Sequence, residues 1–128
     1  MLKDINLESA NIRTLKFNNS LGNGGNVNLE VRLNVEKKVN PEDLKKVMGS
    51  IECKIFSVDE KRKKSGLLEL DLVVDGVYLL VNDFDECNDE LEQSIVITLF
   101  PYLQNYIKII TSLSDMPPIS LPYPIGSK

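Results

Sequence analysis

The sequence predicts a single α+β domain in which several strands precede one long helix, and three observations carry that reading. Residues 27–35 alternate strictly, with Val27, Leu29, Val31, Leu33 and Val35 on one face and Asn28, Glu30, Arg32 and Asn34 on the other. This is the period-two pattern of a half-buried strand. Shorter alternating segments stand before and after it. From about residue 89 the apolar period becomes that of a helix and holds to about residue 114. A chain of 128 residues has room for one core, so residues 1–128 read as one domain.

The first strand is expected at Ile12–Phe17, with Ile12 and Thr14 opposed to Arg13, Leu15 and Phe17. Asn18 to Asn26 contains Gly22, Gly24 and Gly25 and reads as a flexible connection. In the second strand, 27–35, the aliphatic row is expected beneath the helix, with Glu30 and Arg32 facing water. In Asn40-Pro41-Glu42-Asp43-Leu44, Pro41 suits the first residue of a helix of one or two turns capped by Asn40. A third strand fits 50–58, with Ile51, Cys53 and Ile55 on one face and Phe56 and Val58 on the other, ahead of the turn-prone Lys61–Gly66. From Leu67, the residues Leu68, Leu70, Leu72 and Val74 alternate with Glu69 and Asp71; Asp75-Gly76 then precedes the apolar run Val77–Val81. Asp-Gly between apolar runs is a strong local signal for a two-residue hairpin, while one long strand with a glycine bulge is also permitted.

Acidic residues from Asp83 to Glu92 lead into the helix, where they complement its dipole, and Asp89 with Glu92 has capping-box spacing. One apolar line runs through Leu91, Ile95, Leu99, Tyr102, Tyr106, Ile109 and Leu113, and a second through Val96, Phe100, Leu103, Ile107 and Ile110. Pro101 removes a hydrogen bond within this pattern, so a kink is expected there. Together the lines span an arc of roughly 180°, wider than the ~100° that covers one sheet. The surplus line is therefore expected to pack against another subunit. In the final segment, Met116 to Ile125, four prolines in eight residues exclude a helix. Its alternating Ile119, Leu121, Tyr123 and Ile125 are expected to lie ordered against the body.

Histidine is absent, which removes the commonest metal ligand and the commonest general base near neutral pH. No nucleophile stands beside a recognisable base or orienting group, so the chain reads as a non-enzyme with no cofactor. Gly22-Asn23-Gly24-Gly25-Asn26 matches neither phosphate-binding glycine pattern and reads as a strand connection. Counted from Asp83, the sixth and twelfth positions are Asn88 and Ser94, where a calcium loop needs Gly and Glu, so no metal is expected. A net charge of −4 and a pI of about 4.9 disfavour nucleic acid. Lys61–Lys64 reads as a solvated turn. The longest apolar runs are four or five residues and the start lacks a signal-peptide core, so no membrane contact and a cytoplasmic location are expected. Cys53 and Cys87 read as two reduced thiols without a function.

Leu99-Phe100-Pro101-Tyr102 inside an apolar helix, followed about fifteen residues later by Pro117-Pro118-Ile119-Ser120-Leu121-Pro122, resembles the SecB preprotein-export chaperone family. The resemblance implies an antiparallel four-stranded sheet with one long Pro-kinked helix packed on it, and a long final strand with an internal glycine, here Gly76. It also implies a homo-oligomer, dimer or tetramer, and ATP-independent holding of unfolded or partner polypeptides. An alternative role is a SecB-fold adaptor with one dedicated folded partner and no chaperone activity. Phe100 and Tyr102 stand at the family's motif aromatics. With the surplus helix line they define the expected peptide-binding surface and oligomer seam: Val96, Phe100, Tyr102, Leu103, Ile107 and Ile110.

Overall fold

The alternating segments pair into one antiparallel sheet of four strands, over which a single helix lies. In the computed structural model, which describes residues 5–20, 28–61, 63–81, 90–113 and 119, the strands are β1 (Ile5–Asn19), β2 (Asn28–Asn40), β3 (Asp43–Val58) and β4 (Lys64–Leu80). The helix is α1 (Glu90–Ser112). The spatial order is β1-β4-β3-β2, so β3 and β4 are central and β1 and β2 are the edges. Every pairing is antiparallel. The α+β class and the four-stranded sheet under one long helix are as the sequence and its resemblance predict; Val27, Cys87, Asp89 and the glycine-rich connection lie outside the described residues.

All four strands are longer than their clean alternation, most of all β1. Its pairing with β4 slips between Leu7 and Ser9 and again between Ile12 and Thr14. Each slip inserts one residue and reverses the side-chain parity. Ile5 and Leu7, then Ala10 and Ile12, then Leu15 and Phe17 therefore share the helix side of the sheet, although in the sequence Ala10 and Ile12 are out of phase with the other four. This corrects the expectation that Ile12 opposes Leu15 and Phe17: Ile12 pairs with Val74, Leu15 with Leu72 and Phe17 with Leu70, all on one face.

Asn40-Pro41-Glu42 does not begin a helix. It is the tight turn joining β2 to β3, and Asn40 Oδ1 accepts the Glu42 amide at 3.0 Å. The side chain that suits a helix cap serves an Asx turn equally well, and the strands on either side decide between them. Asp75-Gly76 is likewise no hairpin. β4 runs straight through it, and the register of β3 against β4 is unbroken from Lys46↔Leu79 to Phe56↔Glu69. The bulges lie instead in β1. Asp75 is held by neighbours on both sides: Ser50 Oγ on β3 donates to its Oδ1 at 2.6 Å, and Arg13 Nε on β1 lies 2.9 Å from its Oδ2. A carboxylate clamped across three strands is not free to turn a chain. Lys61 is in a turn as expected, closed by Asp59 Oδ1, which accepts the Lys61 and Lys63 amides at 2.8 and 3.0 Å.

The helix can sit close to the sheet because Gly49 and Gly76 are register partners on the two central strands. Ile95 and Leu99 occupy the notch they leave: a β-carbon at Gly49 would lie 2.6 Å from Ile95 Cγ1, and one at Gly76 3.0 Å from Leu99 Cδ2. Beside the notch Tyr78, fully buried, brings its hydroxyl to 2.7 Å from Thr98 Oγ1. Thr98 gives its own proton to the Ser94 carbonyl at 2.6 Å, so Tyr78 is the donor. Around this seat Val47, Ile51, Cys53 and Ile55 of β3, and Leu68, Leu70, Leu72 and Val74 of β4, meet Leu91, Ile95, Leu99, Phe100, Leu103 and Ile107 of α1 to form the core. Ile119 packs against it, and its amide donates to Thr111 Oγ1 at 2.9 Å. The remaining residues of the proline-rich segment that were expected to be ordered, Leu121, Tyr123 and Ile125, lie outside the described residues.

Candidate polypeptide-binding surface

Burial along α1 follows a ladder of every fourth residue, Leu91, Ile95, Leu99, Leu103, Ile107 and Thr111, all buried. A four-residue step overshoots one helical turn by about 40°, so the buried face rotates around the helix as it advances. The core therefore takes the first half of one sequence line and the second half of the other, with the exchange beside Pro101, which lies on the exposed side of the continuous helix. This corrects the expected seam. Phe100, Leu103 and Ile107 are fully buried inside the single chain, because the rotation turns them onto the sheet. Val96 and Ile110 are half-buried, and Tyr102 is 43% exposed.

The same rotation brings the second half of the other line to the surface. Tyr102, Tyr106, Ile109 and Leu113 recur at the spacings four, three and four, which stack on one helix face. Tyr106 is half-buried, whereas Ile109 is 48% and Leu113 82% exposed. Asn105, Lys108 and Ser112 are exposed beside them. The result is an apolar stripe of two aromatic and two aliphatic side chains with a polar margin, the composition of an interface rather than of a small-molecule pocket. Ile109 and Leu113 stand on an apolar line in the sequence; the direction of rotation identifies them as surface.

A second apolar row lies on β2. Val31, Leu33 and Val35 pair with Ile55, Cys53 and Ile51, so the row is on the helix side as predicted. It is not beneath the helix, however: Leu29, Val31 and Leu33 stay 37%, 42% and 39% exposed, and only Val35 and Val39 pack against the core. The helix is centred on β3 and β4 and reaches β2 near the hairpin end, where Lys37 Nζ lies 3.1 Å from Glu92 Oε1. Arg32 is exposed as expected and Glu30 is half-buried, 3.6 Å from it.

The opposite face of the sheet is polar. A cavity of about 200 Å³ is lined by Arg13, Asn34, Glu36, Ser50, Glu52 and Asp71, among others. The Ser50 hydroxyl donates to Asp75, and Arg13 engages both oxygens of that carboxylate, at 3.1 and 2.9 Å. Arg13, Ser50 and Asp75 thus satisfy one another and tie β1, β4 and β3 together, whereas Asp71 Oδ1 in the cavity lining is buried without a hydrogen-bond partner among the described residues. Nearby, Phe56 lies under two cations, Arg32 at 5.1 Å and Lys64 at 5.0 Å from its ring centre. Burial pushes the Cys53 thiol up to about 12, with the Asp71 and Glu52 charges adding to the shift, so it stays protonated and unreactive. Among the described residues no group of three or more His, Cys, Asp or Glu is placed to hold a metal ion. Among them, too, no helix is long and apolar enough to cross a membrane.

No protein-family model and no curated protein matches the sequence. Solved structures do match the architecture. The SecB-like chaperone Rv1957 of Mycobacterium tuberculosis, in complex with a ChAD peptide from the Rv1956 HigA1 antitoxin, is similar with a TM-score of 0.70 over 94% of this chain and 89% of that one, at 12% identity. The fold is SecB-like. A protein of unknown function from Streptococcus agalactiae is similar with a TM-score of 0.53, covering 93% of this chain and 97% of that one, also at 12% identity. At such identity the SecB-like likeness is one of strand order and helix placement. The apolar stripe on α1 belongs to this chain's own side chains.

Proposed function

We propose that this SecB-like chain binds apolar segments of other polypeptides and holds them without nucleotide hydrolysis. The observation that carries this reading is the accessible stripe Tyr102, Tyr106, Ile109 and Leu113, flanked by the half-buried Ile110. Its two tyrosines offer rigid apolar area with a polar tip, and its aliphatic neighbours accept side chains of varied shape. The structural neighbour bound to an antitoxin peptide supports a polypeptide as the ligand. On this reading the chain works in the cytoplasm as a homo-oligomer, dimer or tetramer, because the exposed row on β2 adds a second apolar surface to the first.

The test is light scattering from an aggregation-prone protein diluted out of denaturant. The chain in stoichiometric excess is expected to suppress the signal, and the Tyr102→Asp/Ile109→Asp variant to fail while remaining folded. No suppression by the unaltered chain overturns the holding activity. A dedicated adaptor would instead retain one folded species from a lysate, where a holding protein retains many.

A further inference from the structure

We infer that the groove beside the β2–β3 turn, on the face of the sheet away from α1, binds a single-tailed acyl carboxylate. Its tail lies along Met48 and Val77 and its headgroup sits between Lys38 and Lys46. The site is separate from the stripe on α1 and goes beyond the polypeptide-binding role.

The groove follows from the register. Tyr78 and its partner Val47 belong to the core under the helix, so the residues on either side of them along each strand face the other way. That puts Lys38, Met48 and Val77 in one row across β2, β3 and β4, and Lys46 beside Leu79 in the next row. The face that is polar at Ser50 and Asp75 thus becomes apolar toward the turn: Met48 is 42% exposed, and Val77 and Leu79 are half-buried. With Pro41 at its end, this part of the face forms a cavity of about 320 Å³ whose walls are almost wholly apolar. Small-molecule sites are typically of this kind, about 300–1,000 Å³ of mostly apolar wall with a few placed polar groups.

The charged groups here are both ammoniums. Lys38 stands opposite Met48 and Lys46 two residues along from it, so the two lysines are diagonal neighbours with Cα atoms ~7–8 Å apart. Among the described residues neither is in an ion pair, whereas Lys37, on the helix side, meets Glu92 at 3.1 Å. Two carboxylates nearby are engaged elsewhere: Glu36 Oε1 accepts from Asn34 Nδ2 at 3.4 Å, and Asp43 Oδ1 accepts the Lys45 amide at 3.1 Å. Lys37 to Lys46 carries four lysines against Glu42 and Asp43 in a chain of net charge −4, so the turn is a positive spot on a negative molecule. Like charges across an apolar floor repel until an anion comes between them. The floor and the lysines together select the occupant. An inorganic anion would leave the floor wet, and a neutral or cationic amphiphile would leave the ammoniums unpaired. A peptide would bring backbone N–H and C=O groups onto side-chain carbon. An acyl carboxylate satisfies both parts, with the lysine stems extending the wall along its tail.

The test is an NMR titration of the full chain, methyl-labelled at methionine and isoleucine, with dodecanoate below its micelle concentration. The Met48 methyl, identified by its loss in Met48→Leu, is expected to shift saturably while the buried Ile95 methyls stay in place. Octanoate is expected to bind at least about tenfold more weakly, because it buries fewer methylenes. Lys38 and Lys46 are exposed, so Lys38→Gln/Lys46→Gln keeps the fold, and it is expected to weaken dodecanoate at least about tenfold. Dodecyltrimethylammonium, with the same tail and the opposite charge, is expected to give no saturable shift. Tyr102→Asp/Ile109→Asp should leave the Met48 response intact, which separates this site from the proposed function. The proposal is overturned by equal dodecanoate binding to the unaltered chain and the lysine variant, or by an equal response to the cationic amphiphile. It is overturned too if dodecanoate leaves Met48 unmoved, whether or not phosphatidylglycerol vesicles or an acidic peptide shift it.

Discussion

Gly49 shows how one missing side chain positions the helix. A β-carbon there would meet Ile95 Cγ1 at 2.6 Å and Tyr78 Cε1 at 2.9 Å, and both neighbours are fully buried and cannot swing away. Gly49→Ala is therefore expected to destabilise the chain by about 1–3 kcal/mol, read as a lower denaturant midpoint; an unchanged midpoint would show that α1 is not seated in this notch. Two buried acids make a second prediction. Cys53 and Tyr78 are each pushed up to about 12, from ordinary values of 9.0 and 10.0, chiefly by burial. For Tyr78, Thr98 can turn its own proton to the phenolate, which offsets part of the rise. The folded chain thus keeps protons that the unfolded chain releases, so the stability these groups contribute is full below pH 9 and falls as pH rises toward about 12. Thermal melts should show this alkaline decline, and Tyr78→Phe should remove the latest tyrosine ionisation from an absorbance titration. At this scale the sequence was misleading about Phe100, Leu103 and Ile107. Their apolar character was plain, but which side of a helix meets the sheet depends on the rotation of the buried ladder, a property of the assembled fold.

Elements were legible where their periodicity is unbroken. The helix stands in the sequence almost at its observed extent, and the alternation at 27–35 marks the first part of β2, which runs on to Asn40, since period-two and period-3.6 patterns survive without knowledge of neighbours. β1 was half hidden because its bulges reverse the alternation twice, and the turn at Asn40-Pro41 was mistaken because one asparagine suits two local structures. The Asp75-Gly76 pair could not be resolved locally; it is Arg13 and Ser50, 62 and 25 residues away, that hold Asp75 within a strand. The end of α1 supports a further expectation. Ile119 packs on the core and bonds to Thr111, so deleting residues 117–128 should expose apolar surface and lower the melting temperature by several degrees, the effect of about 1–2 kcal/mol in a domain of this size. A melting temperature equal to that of the full chain would show the Ile119 contact to contribute nothing.

For the whole molecule, a four-stranded sheet with a single helix leaves apolar surface exposed at the outer stripe of α1 and the outer row of β2, besides single residues such as Leu15 and Met48. The class and the antiparallel four-stranded sheet under one helix could be anticipated from strand-then-helix order together with the Leu99-Phe100-Pro101-Tyr102 motif. The two surfaces could not, because both arise from where the helix stops covering the sheet. On the present account the stripe receives other polypeptides, and the row on β2 is a second exposed apolar surface. The most direct measurement of the first claim is a fluorescence-anisotropy titration of a labelled, permanently unfolded polypeptide with the unaltered chain and with Tyr102→Asp/Ile109→Asp, both verified as folded by circular dichroism. Saturable binding that the double substitution weakens at least about tenfold, equivalent to about 1.4 kcal/mol of lost apolar contact, is the predicted result; absence of binding by the unaltered chain, or equal binding by both, would contradict it.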